Sequence, residues 1–476
     1  MTQTDYMVVG AGASGLAFAD ALVGAADVEV TLVDRRRSVG GHWGDAYPFV
    51  RLHTPSAYYG VDSLALGADR VDREGENAGF YERATGAEVR AYFEEVAGRL
   101  VATGRVRILT GHEHLAGEDD AEVLRDLGTG AVEHVTVRRK VVDARYLEAS
   151  VPATHEPSFA VALGARVVPI NDLPSAARSD RTYTVLGAGK TAVDACMWLM
   201  DDGVDPGRIR WVRPQDAWFH DRGDFQPLAQ VGRMMSSIAT DAEAGAQAAD
   251  LPELLARLEH AGRLTRLDPS VPATLYRGAM LSAREVGALR QVKDVVRLGR
   301  VRRIDADRIV LERGEVATGP QVVHVDCTAR GLRVAPAVPV FAPRRIVLQQ
   351  VRHNSPTFNA ALTGFVEARG DDDAGKNRVC PPNPYPSSIG DWPGMTSRTW
   401  EAERRWSAEP EVAAWVARSR LNLLGGLAAH AAEPLVRDAV RRYVTHVGEA
   451  VRRLTGPGYA AGARPAQADT IGVGGT

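Results

Sequence analysis

Residues 5–15 read DYMVVGAGASG, and no other stretch restricts the fold of this chain as tightly. The apolar run Met7–Val9 leads into Gly10, Gly12 and Gly15 at G-x-G-x-x-G spacing, and the helix-compatible LAFADALVG follows at once. A strand that turns directly into a helix needs glycine at each point. Gly10 makes the tight turn, Gly12 lets backbone approach a pyrophosphate, and Gly15 lets the helix pack closely on its strand. Ala13 and Ser14 fall in the first helical turn, where free N–H groups and the positive dipole end attract phosphate. A second strand, VEVTLVD at 28–34, ends in Asp34, with Arg35 beside it. An acid at that point accepts hydrogen bonds from both hydroxyls of an adenosine ribose.

The same grammar returns at 182–194, TYTVLGAGKTAVD. Gly187, Ala188 and Gly189 open it, and Ala192 takes the third place, an accepted variant. The next strand, RIRWV at 208–212, ends in Arg213 rather than an acid. Arg213, with Lys190 and Thr191 nearby, favours a 2′-phosphate and so NADPH over NADH. The fold class that follows is α/β, with two Rossmann-like dinucleotide-binding domains.

At 476 residues the chain has room for two or three domains with sizeable cores. A net charge of −3 gives no nucleic-acid footprint. Basic charge is almost all arginine, with lysine only at 140, 190, 293 and 376. Cys196, Cys327 and Cys380 lie far apart, so neither a disulfide framework, a C-x-x-C redox pair nor a metal site is expected. The first strand begins within six residues of Met1, and no run of 18 apolar residues occurs. The expectation is a soluble, cytoplasmic protein with no membrane contact.

After Asp34, Gly40-Gly41 forms a second glycine turn, followed by His42, Trp43, Tyr47, Arg51, His53, Tyr58 and Tyr59. A glycine turn followed by aromatics suits the wall of a site for a flat ring system. The two later tyrosines fit equally a loop packed on the sheet. Thr85 and Glu88 cap a helix with Val89, Tyr92, Phe93 and Val96 on one face. Strand-like segments over 104–147 complete the first sheet, and a proline-bearing linker crosses 151–181.

Residues 222–300 read as a helical insertion in the second domain, a lid or an interaction surface, with Leu251, Leu254, Leu255 and Leu258 on one helical face and a capping box at Ser282–Glu285. From 340 the chain returns to the first domain. Ser355 is the expected cap and Pro356 the first residue of a helix whose N-terminus, with Ser355 and Thr357, is a candidate to face a flavin's pyrimidine edge. An ordinary structural helix is the other reading. Tyr385 and Trp392 are candidates to wall the pocket. The expected division is 1–165 for the first part of the first dinucleotide-binding domain and 166–332 for the second. Residues 333–455 then supply the returning part with C-terminal helices, and 456–476 a disordered tail.

Two Rossmann units in this order, with GGHW at 40–43, resemble the class B flavin monooxygenases, the flavin-containing and Baeyer–Villiger types. The likeness spans most of residues 1–370 and rests on GAGASG, VD at 33–34, GGHW and GAGKTA. It implies FAD in the first unit and NADPH in the second, with Gly10, Gly12, Gly15 and Asp34 on the adenosine diphosphate and Gly41 and Trp43 beside the isoalloxazine. That family carries an asparagine six residues after a tyrosine following G-G-x-W; here the position is His53. The resemblance gives His53 a hydrogen bond or proton for a C4a-(hydro)peroxyflavin, and Arg51 a contact with nicotinamide phosphate or the peroxyanion. A loop histidine bonded to backbone is the alternative.

The F-x-G-x-x-x-H signature is absent, and DARYL (143–147) and DCTARG (326–331) replace the usual A-T-G strand endings. The implied activity is oxygenation of a small organic substrate by O2. An NAD(P)H-dependent flavin reductase or oxidase is the alternative, and a nucleotide-dependent redox-sensing binding protein a third reading.

Overall fold

In the computed structural model, which describes residues 2–115, 121–154, 156–329, 331–333 and 335–460, both glycine motifs join a buried parallel strand to a helix. Strand β1 (Thr2–Val9) is apolar on both faces over Tyr6–Val9, as a strand covered from both sides must be. Helix α1 (Ala13–Ala25) follows it, then β2 (Val30–Asp34). Helix α2 (Gly86–Ala102) starts at the expected Thr85–Glu88 capping box and buries Val89, Tyr92, Phe93 and Val96. Strands β3 (Val106–Thr110), β4 (His112–Leu115), β5 (Ala121–Asp126) and β6 (Val132–Asp143) complete most of an eight-stranded sheet. Its main path runs from Phe341–Ala342 and Arg345–Val347 through β6, β1 and β2 to β3. β1 lies parallel to both β2 and β6, so its C-terminal end opens where the strand order reverses.

The second sheet has five parallel strands: β7 (Arg166–Pro169), β8 (Thr182–Leu186), β9 (Ile209–Val212), β10 (Asp294–Val296) and β11 (Val322–Asp326). Their order is β10-β9-β8-β11-β7, which again puts the glycine strand in the middle. Helix α3 (Lys190–Asp201) leads from that glycine turn. β7 therefore turns part of the expected 151–181 linker into a sheet edge.

The insertion differs from its helical expectation. Strands Asp216–Asp221, Leu264–Arg266 and Ala273–Leu281 form a three-stranded sheet beneath its helices. The Leu264–Arg266 strand spans three residues, too short to register as a period in sequence. The capping box at Ser282–Glu285 forms as expected. Helix α4 (Val231–Gln247) is covered along its length by helix Pro434–Leu454, with a Cβ at Gly232 only 3.2 Å from Val436 and one at Gly245 only 3.1 Å from Leu454. Leu254 and Leu258 join the same core as Trp392, Trp400 and Leu454.

Helix α5 (Pro356–Ala368) packs on α1, where a Cβ at Gly364 would lie 2.5 Å from the Phe18 carbonyl oxygen. Three of the four lysines hold their ammonium groups in ion pairs: the buried Lys140 and Lys376 on Glu367, which also takes the Tyr6 hydroxyl at 2.9 Å, and the half-buried Lys190 on Asp194. Of the expected tail, Pro457–Ala460 is helical and Tyr459 donates its hydroxyl to the Ala248 carbonyl at 3.1 Å; positions 461–476 lie outside the described residues. Among the described residues no helix is long and apolar enough to cross a membrane.

Candidate functional site

The first glycine turn is fixed from three directions. Gly10 sits at φ +112, where only glycine is at ease, and its N–H donates to the Val33 carbonyl at 2.8 Å. A Cβ at Gly15 would overlap the Gly10 carbonyl oxygen, the close helix–strand approach expected there. Gly12 has a different reason. Its missing Cβ faces the Gly41 Cα at 3.4 Å, and the Gly40 N–H donates to the Ala11 carbonyl at 2.9 Å. The second glycine turn is thus packed onto the first, with Gly41 itself at φ +62. Ala13 and Ser14 stand half-buried at the start of α1, whose N-terminus has no side-chain cap. Asp34 is buried and accepts the N–H groups of Ala11 and Arg36, both at 2.8 Å, while Arg35 is exposed. Each carboxylate oxygen keeps a lone pair for a further donor.

Beyond this turn the 41–59 segment runs toward the second unit. His42 stacks on Trp43 at 5.3 Å, and burial with the Arg36 charge pushes the His42 pKa down to about 4. Trp43 donates its indole N–H to the Tyr59 hydroxyl at 2.8 Å, and Tyr58 donates to the Leu423 carbonyl, so both later tyrosines pack the loop. Tyr47 donates to Asp194 of α3 at 2.6 Å, and Phe49 stacks on Trp198 of the same helix at 5.2 Å. His53 is half-buried within the field of Lys190 and Asp194. Burial first, then the Lys190 charge, push its pKa down to about 3, so its imidazole is neutral near pH 7. Arg51 is exposed and donates to the Arg83 carbonyl at 3.2 Å.

The second turn repeats the first with one addition. Gly187 has φ +131, and a Cβ there would lie 2.7 Å from the Cys327 carbonyl oxygen. The Trp211 indole donates to the Gly187 carbonyl at 2.7 Å, clamping the turn from the neighbouring strand. Ala188 is buried, Thr191 half-buried, and a Cβ at Gly189 would meet nothing within 4 Å. Lys190 pairs with Asp194 one helical turn on.

A cavity of about 650 Å³ opens between the 49–83 segment and α3, lined by Phe49, Arg51, Asn77, Arg83, Asp194 and Trp198 among others. Glu285 borders it too. Burial opposes its charge, but Arg222, 2.7 Å away, and Lys190 hold its pKa down at about 2. Asn77, Asp194 and Glu285 were not singled out as site residues in sequence, because the cavity that brings them together is formed by segments remote along the chain.

Residues 8–59 match the NAD(P)-binding Rossmann-like domain family. The proteins Rv2000 of Mycobacterium tuberculosis (strain ATCC 25618 / H37Rv) and Mb2023 of Mycobacterium bovis are each 42% identical to the chain over 441 residues, 92% of this chain and 81% of theirs. The chain belongs to their family. A closed crystal structure of cyclohexanone monooxygenase covers 94% of this chain and 98% of its own, with a TM-score of 0.50 at 14% identity. The chain thus shares the fold of cyclohexanone monooxygenase.

Two features of this family member fit the groups that such a fold accommodates. At the N-terminus of α5 no side chain caps the helix, since Ser355 turns its hydroxyl to the His353 carbonyl at 3.2 Å rather than capping as expected. The buried Thr357 Oγ1 there has no partner, leaving a donor and free N–H groups for a ring edge rich in acceptors. The uncapped α1 turn and the open space at Gly189 suit diphosphates. Tyr385, which donates to the Arg277 carbonyl at 3.0 Å, and Trp392, inside the insertion core, do not line the cavity.

Arg213 is not presented at the loop edge. Its guanidinium lies 4.9 Å over the Trp211 ring and 3.3 Å from Asp216, which Arg297 also grips at 2.9 Å. An Arg213→Ala protein is expected to lose about 1–3 kcal/mol of stability, because a buried charge pair is broken. Its NADPH-to-NADH affinity ratio should stay within about twofold of wild type. A large fall in that ratio, measured by titration, would restore Arg213 as a 2′-phosphate ligand.

Proposed function

We propose that this chain is a flavin-dependent oxidoreductase that holds FAD in its first unit and NADPH in its second, and that it oxygenates a small organic substrate with O2. Residues 1–165 and 333–455 are assigned to the FAD unit and 166–332 to the nicotinamide unit, in a soluble, cytoplasmic protein. The observation that carries this reading is a convergence. The Gly12–Gly41 stack, the Trp43–His53 segment and α3 of the second unit come together through the 2.6 Å Tyr47–Asp194 bond.

FAD, when bound, supplies electron transfer from the nicotinamide and the activation of O2. The chain's own part is binding and placement. N–H groups at the uncapped start of α1 bind the diphosphate, and Asp34 uses its remaining lone pairs on the ribose. Gly41 and Trp43 wall the ring, and the α5 N-terminus at Ser355–Thr357 favours negative charge on it. His53, neutral and half-buried, offers one N–H donor and one acceptor nitrogen. Arg51 stands at the cavity wall, where it can meet an anionic group of the nicotinamide nucleotide.

The second reading is an NAD(P)H-dependent flavin reductase or oxidase without oxygen insertion, which the missing F-x-G-x-x-x-H signature favours. Stopped-flow spectroscopy separates the two. The protein is reduced anaerobically with NADPH and mixed with O2 while the visible spectrum is followed. Return to oxidised flavin through a distinct, lasting spectral species is expected for the oxygenating enzyme. Direct single-phase return, with hydrogen peroxide equal to NADPH consumed, would favour the reductase or oxidase.

A further inference from the structure

We propose that Asp194 is a positioning residue that couples the two nucleotide units. It draws Lys190 back along α3 and takes the Tyr47 hydroxyl, and an anionic dinucleotide arriving at Gly187–Lys190 competes with it for Lys190. The proposal rests on reading the second unit as a dinucleotide site and adds a residue to it.

Lys190 is the first residue of α3, beside the free N–H groups where a phosphate would bind. Its ammonium does not face that end. Asp194 lies one turn on, on the same helical face, and the two side chains form an ion pair at 8% and 16% exposure. The other oxygen of Asp194 accepts the Tyr47 hydroxyl at 2.6 Å, and Tyr47 is itself buried. One carboxylate thus serves a cation of the second unit and a phenol of the first. The contact continues along the helix, where Trp198 stacks on Phe49, which in turn packs on Tyr47 at 4.9 Å.

A phosphate beside Gly189 offers Lys190 a second anionic partner, and the flexible lysine stem can follow it. Asp194 is then left with Tyr47 alone. Lys190 and Asp194 are also the two charges that act most strongly on the imidazole of His53, in opposite directions. Occupancy of the second unit therefore changes the field on the His53 side of the first, with no movement of a whole domain.

The test titrates NADP+ into FAD-loaded protein and follows both tryptophan fluorescence and the visible flavin spectrum. Asp194→Asn should bind NADP+ about tenfold tighter than wild type, because Lys190 is released. Lys190→Met should bind about tenfold weaker, and the double variant should match Lys190→Met. Tyr47→Phe should keep its affinity but lose the flavin spectral change that NADP+ produces in wild type. Unchanged or weaker binding by Asp194→Asn overturns the proposal, as does tightening that persists without Lys190. Should Asp194→Asn not fold, a Tyr47→Phe protein that keeps the spectral change overturns it. A wild type that binds no NADP+ overturns the underlying reading of the second unit instead.

Discussion

Gly15→Ala is expected to abolish FAD binding and to cost about 3 kcal/mol or more of stability, since the new methyl has nowhere to go. Its Cβ would overlap the Gly10 carbonyl oxygen, and the nearest side chain, that of Val8, lies 3.3 Å away. Helix α1 cannot retreat to make room. Leu16, Phe18 and Leu22 are fully buried, and Gly364 of α5 presses on the Phe18 carbonyl from the far side. Gly24→Ala in the same helix is the control, because a Cβ there meets nothing within 4 Å. It should stabilise by about 0.5–1 kcal/mol through helix propensity. Denaturant unfolding and flavin absorbance of the two proteins check both statements. A yellow, fully stable Gly15→Ala protein would refute the packing argument.

Acid should destabilise this protein well above the range in which carboxylates titrate. His220 and His324 are 2% and 1% exposed, and each has Nδ1 without a partner. Burial, then Arg263 and His353, hold the His220 pKa well below the ordinary value; burial and Arg210 push that of His324 down to about 4. The unfolded chain binds protons at these residues from about pH 6.5, and the folded chain does not. Stability is therefore full above pH 6.5 and is lost as pH falls toward about 4 at His324. At pH 5 His324 accounts for about 2 kcal/mol of that loss, and His220 adds to it in the same direction. The buried carboxyl of Asp241 and the half-buried one of Glu403, whose pKa values desolvation raises, act in the opposite direction. Comparing unfolding free energies at pH 7 and pH 5 for wild type and His324→Gln isolates one histidine. The variant should lose less on acidification; an equal loss would assign the pH dependence elsewhere.

The two glycine motifs were legible in sequence because a strand, a turn and a helix are local, and each glycine there answers a backbone or packing demand. Gly12 shows where local reasoning stops. Its position was read correctly, but its neighbour is Gly41, brought in by the loop after β2. Arg213 is drawn away from the surface for a similar reason. A sequence shows an arginine after a strand, but not the Trp211 face beneath it or the arginine of position 297 that shares Asp216. Ser355 had the right residue type for a cap, yet its hydroxyl found the His353 carbonyl two residues back. Asp194 lay in plain view inside GAGKTAVD, and its meaning came only from Tyr47, 147 positions earlier.

The pairing of α4 with the helix Pro434–Leu454 orders events during synthesis. The five strands of the second sheet are all made by residue 326, so that sheet can assemble while the chain is still being extended. The inserted helices emerge earlier still, yet the surface that buries Met235, Ala239 and Gly245 is not made until nearly 200 residues later. The nascent chain must therefore carry an uncovered apolar helix while the residues between it and Pro434 are added, a stretch on which a holding chaperone would act.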